Sequence, residues 1–228
     1  MFEAMTSSPF FGLALTLICW WLAVRFQKKT GLLIFNPVLV TSVLVIAILL
    51  IFHIPLERYN TGADIIKMLL GPATAALALN IYRQRAILKQ HFWPVVLGCL
   101  VGSLASILCV RLLCRVLQAD GVLLNSLLPK SVTTAIAVSI SESAGGLPGL
   151  TAASVCVTGI EGAMLAPLFA KLFHVTDPVA EGVAIGACSH AVGTSKALEI
   201  GPLQGAMSSI ALCVCGIITS VLAMFFTV

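Results

Sequence analysis

The chain of 228 residues is 59% hydrophobic and 10% charged, against roughly 45–50% and 25% in soluble proteins, so it reads as one integral membrane domain. Its net charge of +4 comes from short clusters such as RFQKK (Arg25–Lys29) and RQRAILK (Arg83–Lys89), not from the basic, aromatic-rich soluble face that nucleic-acid binding needs. Polar intervals of at most about ten residues leave no room for a separate soluble domain.

A spanning helix takes about 20 mostly apolar residues to cross a core of about 30 Å. Runs that meet or approach that length are Phe10–Val24, Leu32–Ile54, Ile65–Tyr82, Phe92–Leu117, Val122–Ile140, Leu147–Phe173, Gly182–Leu198 and Gly205–Val228, which makes eight crossings or near-crossings. None alternates with period two, so the expected class is an all-α polytopic protein in contact with the lipid bilayer. The first run lacks the flanks of a cleaved signal peptide and is expected to be retained. With the basic clusters inside, the loop PLERYNTGAD (Pro55–Asp64) and the N-terminus fall outside. The last four runs carry too little charge to be oriented.

Several runs are interrupted. Asn36 and Pro37 break the second near its start, Gly71 and Pro72 break the third, and Pro129 with Lys130 sits inside the fifth. The seventh has only 14 uncharged residues between Glu181 and Lys196, about 21 Å of helix, which predicts a broken or re-entrant element. A weak echo between residues 65–117 and 122–173 pairs a proline-interrupted helix with a proline-started one in each half. Paired broken helices point to the binding site of a secondary transporter.

Lys130 is the only charged residue between Gly121 and Ser141. A lysine at the centre of a spanning helix costs about 2.5–3.5 kcal/mol on insertion scales and tends to mark a pathway. If Val122–Ile140 is one helix of about 28 Å, Lys130 lies near its middle. Pro129 suits the first turn of a half-helix running through Ser131, Thr133 and Thr134. Free N–H groups, a helix dipole, an ammonium and hydroxyls then converge as a seat for a small carboxylate anion. The alternative is a lysine that snorkels to an interface, with the threonines bonded to their own helix.

The seventh run, GVAIGACSHAVGTSKALEIG, supplies the second wall through Ser189, His190, Gly193 and Thr194. Gly182 and Gly186 share a face, as do His190 and Thr194. His190 reads equally as a proton-coupling group and as a buried histidine satisfied by a carbonyl. Glu161 is a second isolated charge, either a neutraliser of Lys130 or a residue facing a cleft or partner. Asn36 and Pro37 are read as a loop capping the site or as a plain helix start, and Gly71, Pro72 and Glu199 are further accessory positions.

The eight cysteines all lie in or beside apolar runs and read as packing residues. Cys213 and Cys215 lack zinc-ligand spacing. No metal, cofactor or enzymatic activity is expected, since no serine elbow, HExxH, Walker loop or paired-carboxylate pattern is present.

The stretches LPKSVTTAIA (Leu128–Ala137) and GACSHAVGTSKALE (Gly186–Glu199), with GGLPG at Gly145 and CGIITS at Cys215, resemble the LrgB/CidB family, close to its YohK branch. The resemblance covers nearly the whole chain and extends to the C-terminal half of the plant plastid glycolate and glycerate transporter. It implies a bacterial inner-membrane protein with inverted repeats, crossed broken helices and a mobile, elevator-type transport unit. It also implies an LrgA/CidA-like membrane partner in a homo- or hetero-oligomer. Two functions are implied: carriage of small monocarboxylates, or antiholin-like modulation of murein hydrolases and lysis. The midplane lysine favours the first. Two residues depart from the family pattern: Ala135 stands where proline often follows the paired threonines, and Glu161 matches none of the family's charged motifs.

Overall fold

The computed structural model describes residues 6, 8–31, 35, 37–69, 72, 75, 79, 82 and 85–227. Asn36, Gly71 and half of the third apolar run lie outside the described residues. The chain divides into two compact units, residues 1–75 and 76–228.

In the first unit, α1 (Pro9–Thr30), α2 (Pro37–Ile51) and α3 (Leu56–Lys67) pack together. Ser8 caps α1, with Pro9 in the first turn where its missing N–H is not needed, and Gly31 closes it at φ 66°. Gly12 and Gly62 let α1 and α3 touch backbone to backbone: a Cβ on Gly62 would lie 2.8 Å from the Gly12 and Leu13 nitrogens.

In the second unit, α4 (Arg85–Gln90) leads into α5 (Phe92–Val116), followed by α6 (Gly121–Leu127), α7 (Thr134–Ser143), α8 (Pro148–Leu172), α9 (Pro178–Ile200) and α10 (Pro202–Phe226). The helices α5, α8 and α10 have 25 residues each, about 37 Å, enough to cross a bilayer. Among the described residues four helices are long and apolar enough to span, α1, α5, α8 and α10, with α2 a shorter apolar helix. Eight crossings or near-crossings were expected. The difference lies in the second run, whose helix α2 has 15 residues, in the fifth and seventh, which turn back, and in the third, half of which is outside the described residues.

The directions of the helices follow from their contacts. Cys99 Sγ lies 3.6 Å from Ala211 O and Arg111 reaches Phe226 O, so α5 and α10 run parallel. Along α8 and the start of α9, Gly162 meets Ser189, whereas Phe173 shares a cavity wall with Glu181, so these two run antiparallel.

The helix α9 is a hairpin in space. Its backbone breaks at His190 (φ 41°, ψ −134°), and its arms, 178–189 and 191–200, both lie on α10 in opposite directions. Gly182 and Gly186 on the first arm meet Gln204 and Ser208, while Thr194 and Leu198 on the second meet Ser208 and Gly205. A Cβ on Gly193 would lie 3.2 Å from Ile185 O, although eight residues of straight helix would hold them about 12 Å apart. Arms of twelve and ten residues reach about 18 and 15 Å, half of a 25-residue span.

The pair α6–α7 turns back in the same way from the opposite end of the bundle. Two turns, Lys130 N–H to Leu127 O (3.1 Å) and Val132 N–H to Pro129 O (3.2 Å), carry the chain into extended Thr133, where α7 begins. The fifth run is therefore two short helices rather than one, and the half-helix expected from Pro129 starts at Thr134. Pro129 restricts the turn that closes α6.

Candidate functional site

The two hairpin tips meet halfway along the long spans. Ser131 Oγ lies 2.7 Å from Ser106 Oγ on α5, near the centre of that helix. Ala187 packs on Gly102, one turn earlier on α5. The side chains of Val132 and Ala137 pack on Val155 of α8, and His190 Nε2 lies 2.9 Å from the carbonyl of the same Val155. Val155 thus stands between the tips.

Lys130 is half-buried, and no acidic side chain pairs with it among the described residues. Pro129 and Thr133 are buried, Ser131 is half-buried, and Thr134 is exposed at the first position of α7. Thr133 supplies no side-chain cap, so the first turn of α7 offers its N–H groups and positive dipole end at the level of the lysine.

On the facing wall, Ser189, His190, Gly193 and Thr194 are all buried. A carbonyl only accepts, so Nε2 of His190 carries the hydrogen in its bond to Val155. Thr194 Oγ1 donates to His190 O at 2.8 Å, which leaves Ser208 Oγ to donate to Thr194, also at 2.8 Å. These bonds hold the break. Gly159 and Gly162 of α8 make room for it: a Cβ on Gly159 would lie 2.5 Å from His190 Cε1, and one on Gly162 would lie 2.7 Å from Ser189 Cβ.

The accessory residues of the second unit do not join this cluster. Glu161 is exposed on α8 and makes no ion pair with Lys130, and Glu199 is exposed in the last turn of α9, paired with Lys196 at 2.9 Å. Pro37 begins α2 in the first unit, and Pro72 is exposed in that unit. Sequence reading missed Ser106, Val155 and Ser208. The only local signal was a hydroxyl in the middle of an apolar run, for Ser106 in SLASIL and for Ser208 in MSSIAL. Among the described residues no group of His, Cys, Asp and Glu side chains could hold a metal ion.

Long apolar spans with facing re-entrant hairpins define a multi-pass α-helical membrane protein. The LrgB-like family model matches residues 16–228, and the chain belongs to that family. It is 37% identical over 224 residues to the antiholin-like protein LrgB of Bacillus mycoides (strain KBAB4), Bacillus cereus (strain B4264) and Bacillus anthracis (strain CDC 684 / NRRL 3495), covering 98% of this chain and 97% of each relative. The four apolar spans and the family together show a multi-pass protein of a bacterial membrane, as expected. No solved structure matches the chain.

Proposed function

We propose that the chain is a secondary carrier or facilitator of small monocarboxylates of the glycolate, glycerate, pyruvate and lactate class, working with an LrgA-like membrane partner. The observation that supports this reading is Lys130, a half-buried ammonium with no acidic partner among the described residues, held where two hairpin tips meet halfway along three spans. A charge at such depth is unfavourable unless a ligand or water-filled path offsets it. A carboxylate would bridge Lys130 and the first-turn N–H groups of α7, beside Ser131, Thr133 and Thr134. Ser189, His190, Gly193 and Thr194 would face it. The elevator-type movement proposed for the unit would shift both hairpins against the remaining helices.

The relatives' name, antiholin-like protein, favours a second reading more than it favours carriage: modulation of murein hydrolase activity and lysis, without transport by this chain. Reconstituted uptake of labelled glycolate and pyruvate, with and without the LrgA-like protein, separates the two. The carrier reading expects saturable flux that falls at least tenfold in Lys130→Met. No saturable flux in either preparation, together with altered murein hydrolase activity in cells lacking the protein, would establish the second.

A further inference from the structure

The helix α8 carries a charge that its own bundle does not use. Glu161 is the fourteenth of its 25 residues, so in a spanning helix it lies close to the bilayer centre. It is exposed, and Thr158, one turn earlier on the same side, is half-buried. Neither has a side-chain hydrogen bond or ion pair among the described residues. A carboxylate against hydrocarbon is costly, and charges at this depth face protein or water. Glu161 does not face the bundle either. The buried residues around it, Gly159, Ile160 and Ala163, lie on the other side of α8, where Gly159 and Gly162 meet the α9 break. Something outside the bundle therefore covers Glu161.

The residues around it indicate what does. Ser154, Glu161 and Leu168 recur every seven residues, and Val157 and Met164 follow the first two by three. This is the a/d spacing of a left-handed helix pair, the geometry of soluble coiled coils and of most membrane bundles. Val157, Glu161, Met164 and Leu168 are exposed and Ser154 is half-buried, so the seam is free. A single polar residue at an a position fixes the register between like helices. Two copies of one chain insert the same way, so their α8 helices run parallel with Glu161 at one depth. The polar patch then complements itself. A helical side chain leans towards the preceding turn, which brings Glu161 to the level of Thr158, and the hydroxyl of each copy donates to the carboxyl of the other. The two carboxyls, side by side and away from water, share one proton, because like charges so placed do not both ionise.

We propose that the outer face of α8 binds a second copy of this chain, the two helices packing in parallel along Ser154, Val157, Glu161, Met164 and Leu168, with Glu161 and Thr158 hydrogen-bonded across the pair. This pairing is independent of what the chain carries.

Cross-linking and charge exchange test this in membranes of cells that make two differently tagged copies. Cys109, Cys156 and Cys188, the cysteines not buried among the described residues, are first changed to alanine. In that parent, Leu168→Cys is expected to give a disulfide-linked dimer on oxidation with copper phenanthroline. The yield should be at least fivefold that of Ile217→Cys, which is equally exposed but on α10. Co-purification of one tag with the other reads the polar patch. Glu161→Lys in both copies should lower it at least fivefold, and Glu161→Lys in one copy against the parent in the other should restore it, an ion pair replacing the shared proton. Glu161→Gln, whose amide both donates and accepts, should keep it. If the lysine variant does not fold, Thr158→Val with Glu161→Leu, which leaves an apolar helix that inserts readily, should lower co-purification by at least the same factor. Equal cross-linking at positions 168 and 217 would overturn the proposal. So would co-purification unchanged by Thr158→Val with Glu161→Leu, or a mixed pair no better than two lysine copies. A chain whose α8 is covered by another membrane protein, and not by its own copy, would give no inter-copy cross-link at position 168.

Discussion

At His190 the chain is bent by a conformation that L-residues with a Cβ seldom adopt, φ 41° with ψ −134°, which costs of the order of 1–3 kcal/mol. The imidazole offsets part of this through its bond to Val155 O. His190→Gly loses that bond and relieves the strain, whereas His190→Ala loses the bond and keeps the strain. The alanine variant is therefore expected to be less stable than the glycine one by about 1 kcal/mol, read from thermal unfolding in detergent. The opposite order would mean that the backbone at position 190 is not strained by a Cβ. At Gly162 a methyl group would strike Ser189 at both Oγ and Cβ; a rotamer change clears only the first. Gly162→Ala should destabilise by about 1–3 kcal/mol, and Ser189→Gly in the same chain should restore most of it, a coupling measurable by a double-mutant cycle.

Turning to elements, the hairpins were legible in the sequence to different degrees. The shortness of Gly182–Leu198 announced a broken helix, because length against membrane thickness is a constraint that no packing removes. The site of the break was not announced, since neither proline nor glycine occupies position 190 and the bend comes from α8 glycines distant in sequence. Pro129 was misplaced because proline fits both the first turn of a helix and the turn that ends one. The α6–α7 hairpin also depends on polar contacts with no sequence signature. Asn125 Nδ2 donates to Ala144 O at 2.7 Å, Leu147 N–H to Ser126 Oγ at 2.7 Å, and Thr151 Oγ1 to Ser141 Oγ at 2.7 Å. Asn125→Leu would leave the Ala144 carbonyl without this donor in a partly buried place, at about 1–3 kcal/mol. It should loosen the turn at 144–147, seen as faster backbone amide exchange there than in the parent protein, with α9 unchanged.

For the second unit as a whole, hairpins that enter and return leave α5, α8 and α10 as its only spans among the described residues. This settles relative orientation where charge in the last four runs is too sparse to do so. With α5 and α10 parallel and α8 opposed, the α9 hairpin opens at the end that holds the start of α5, and the α6–α7 hairpin opens at the other. Arg85, Lys89 and Lys171 lie at the first end and Arg111 and Arg115 towards the second. With Arg83 of the same basic cluster counted, positive charge favours the first end as cytoplasmic. The turn between α7 and α8 then faces outward. Single cysteines at two exposed positions test this directly. Thr176→Cys, between α8 and α9, should react with an impermeant reagent only in inside-out vesicles, and Ser143→Cys, at the end of α7, only in right-side-out ones. Exchange of the two results would invert the protein in the membrane and leave its architecture intact. Labelling of both from one face would break the architecture, because α8, which separates the two positions, could not then cross.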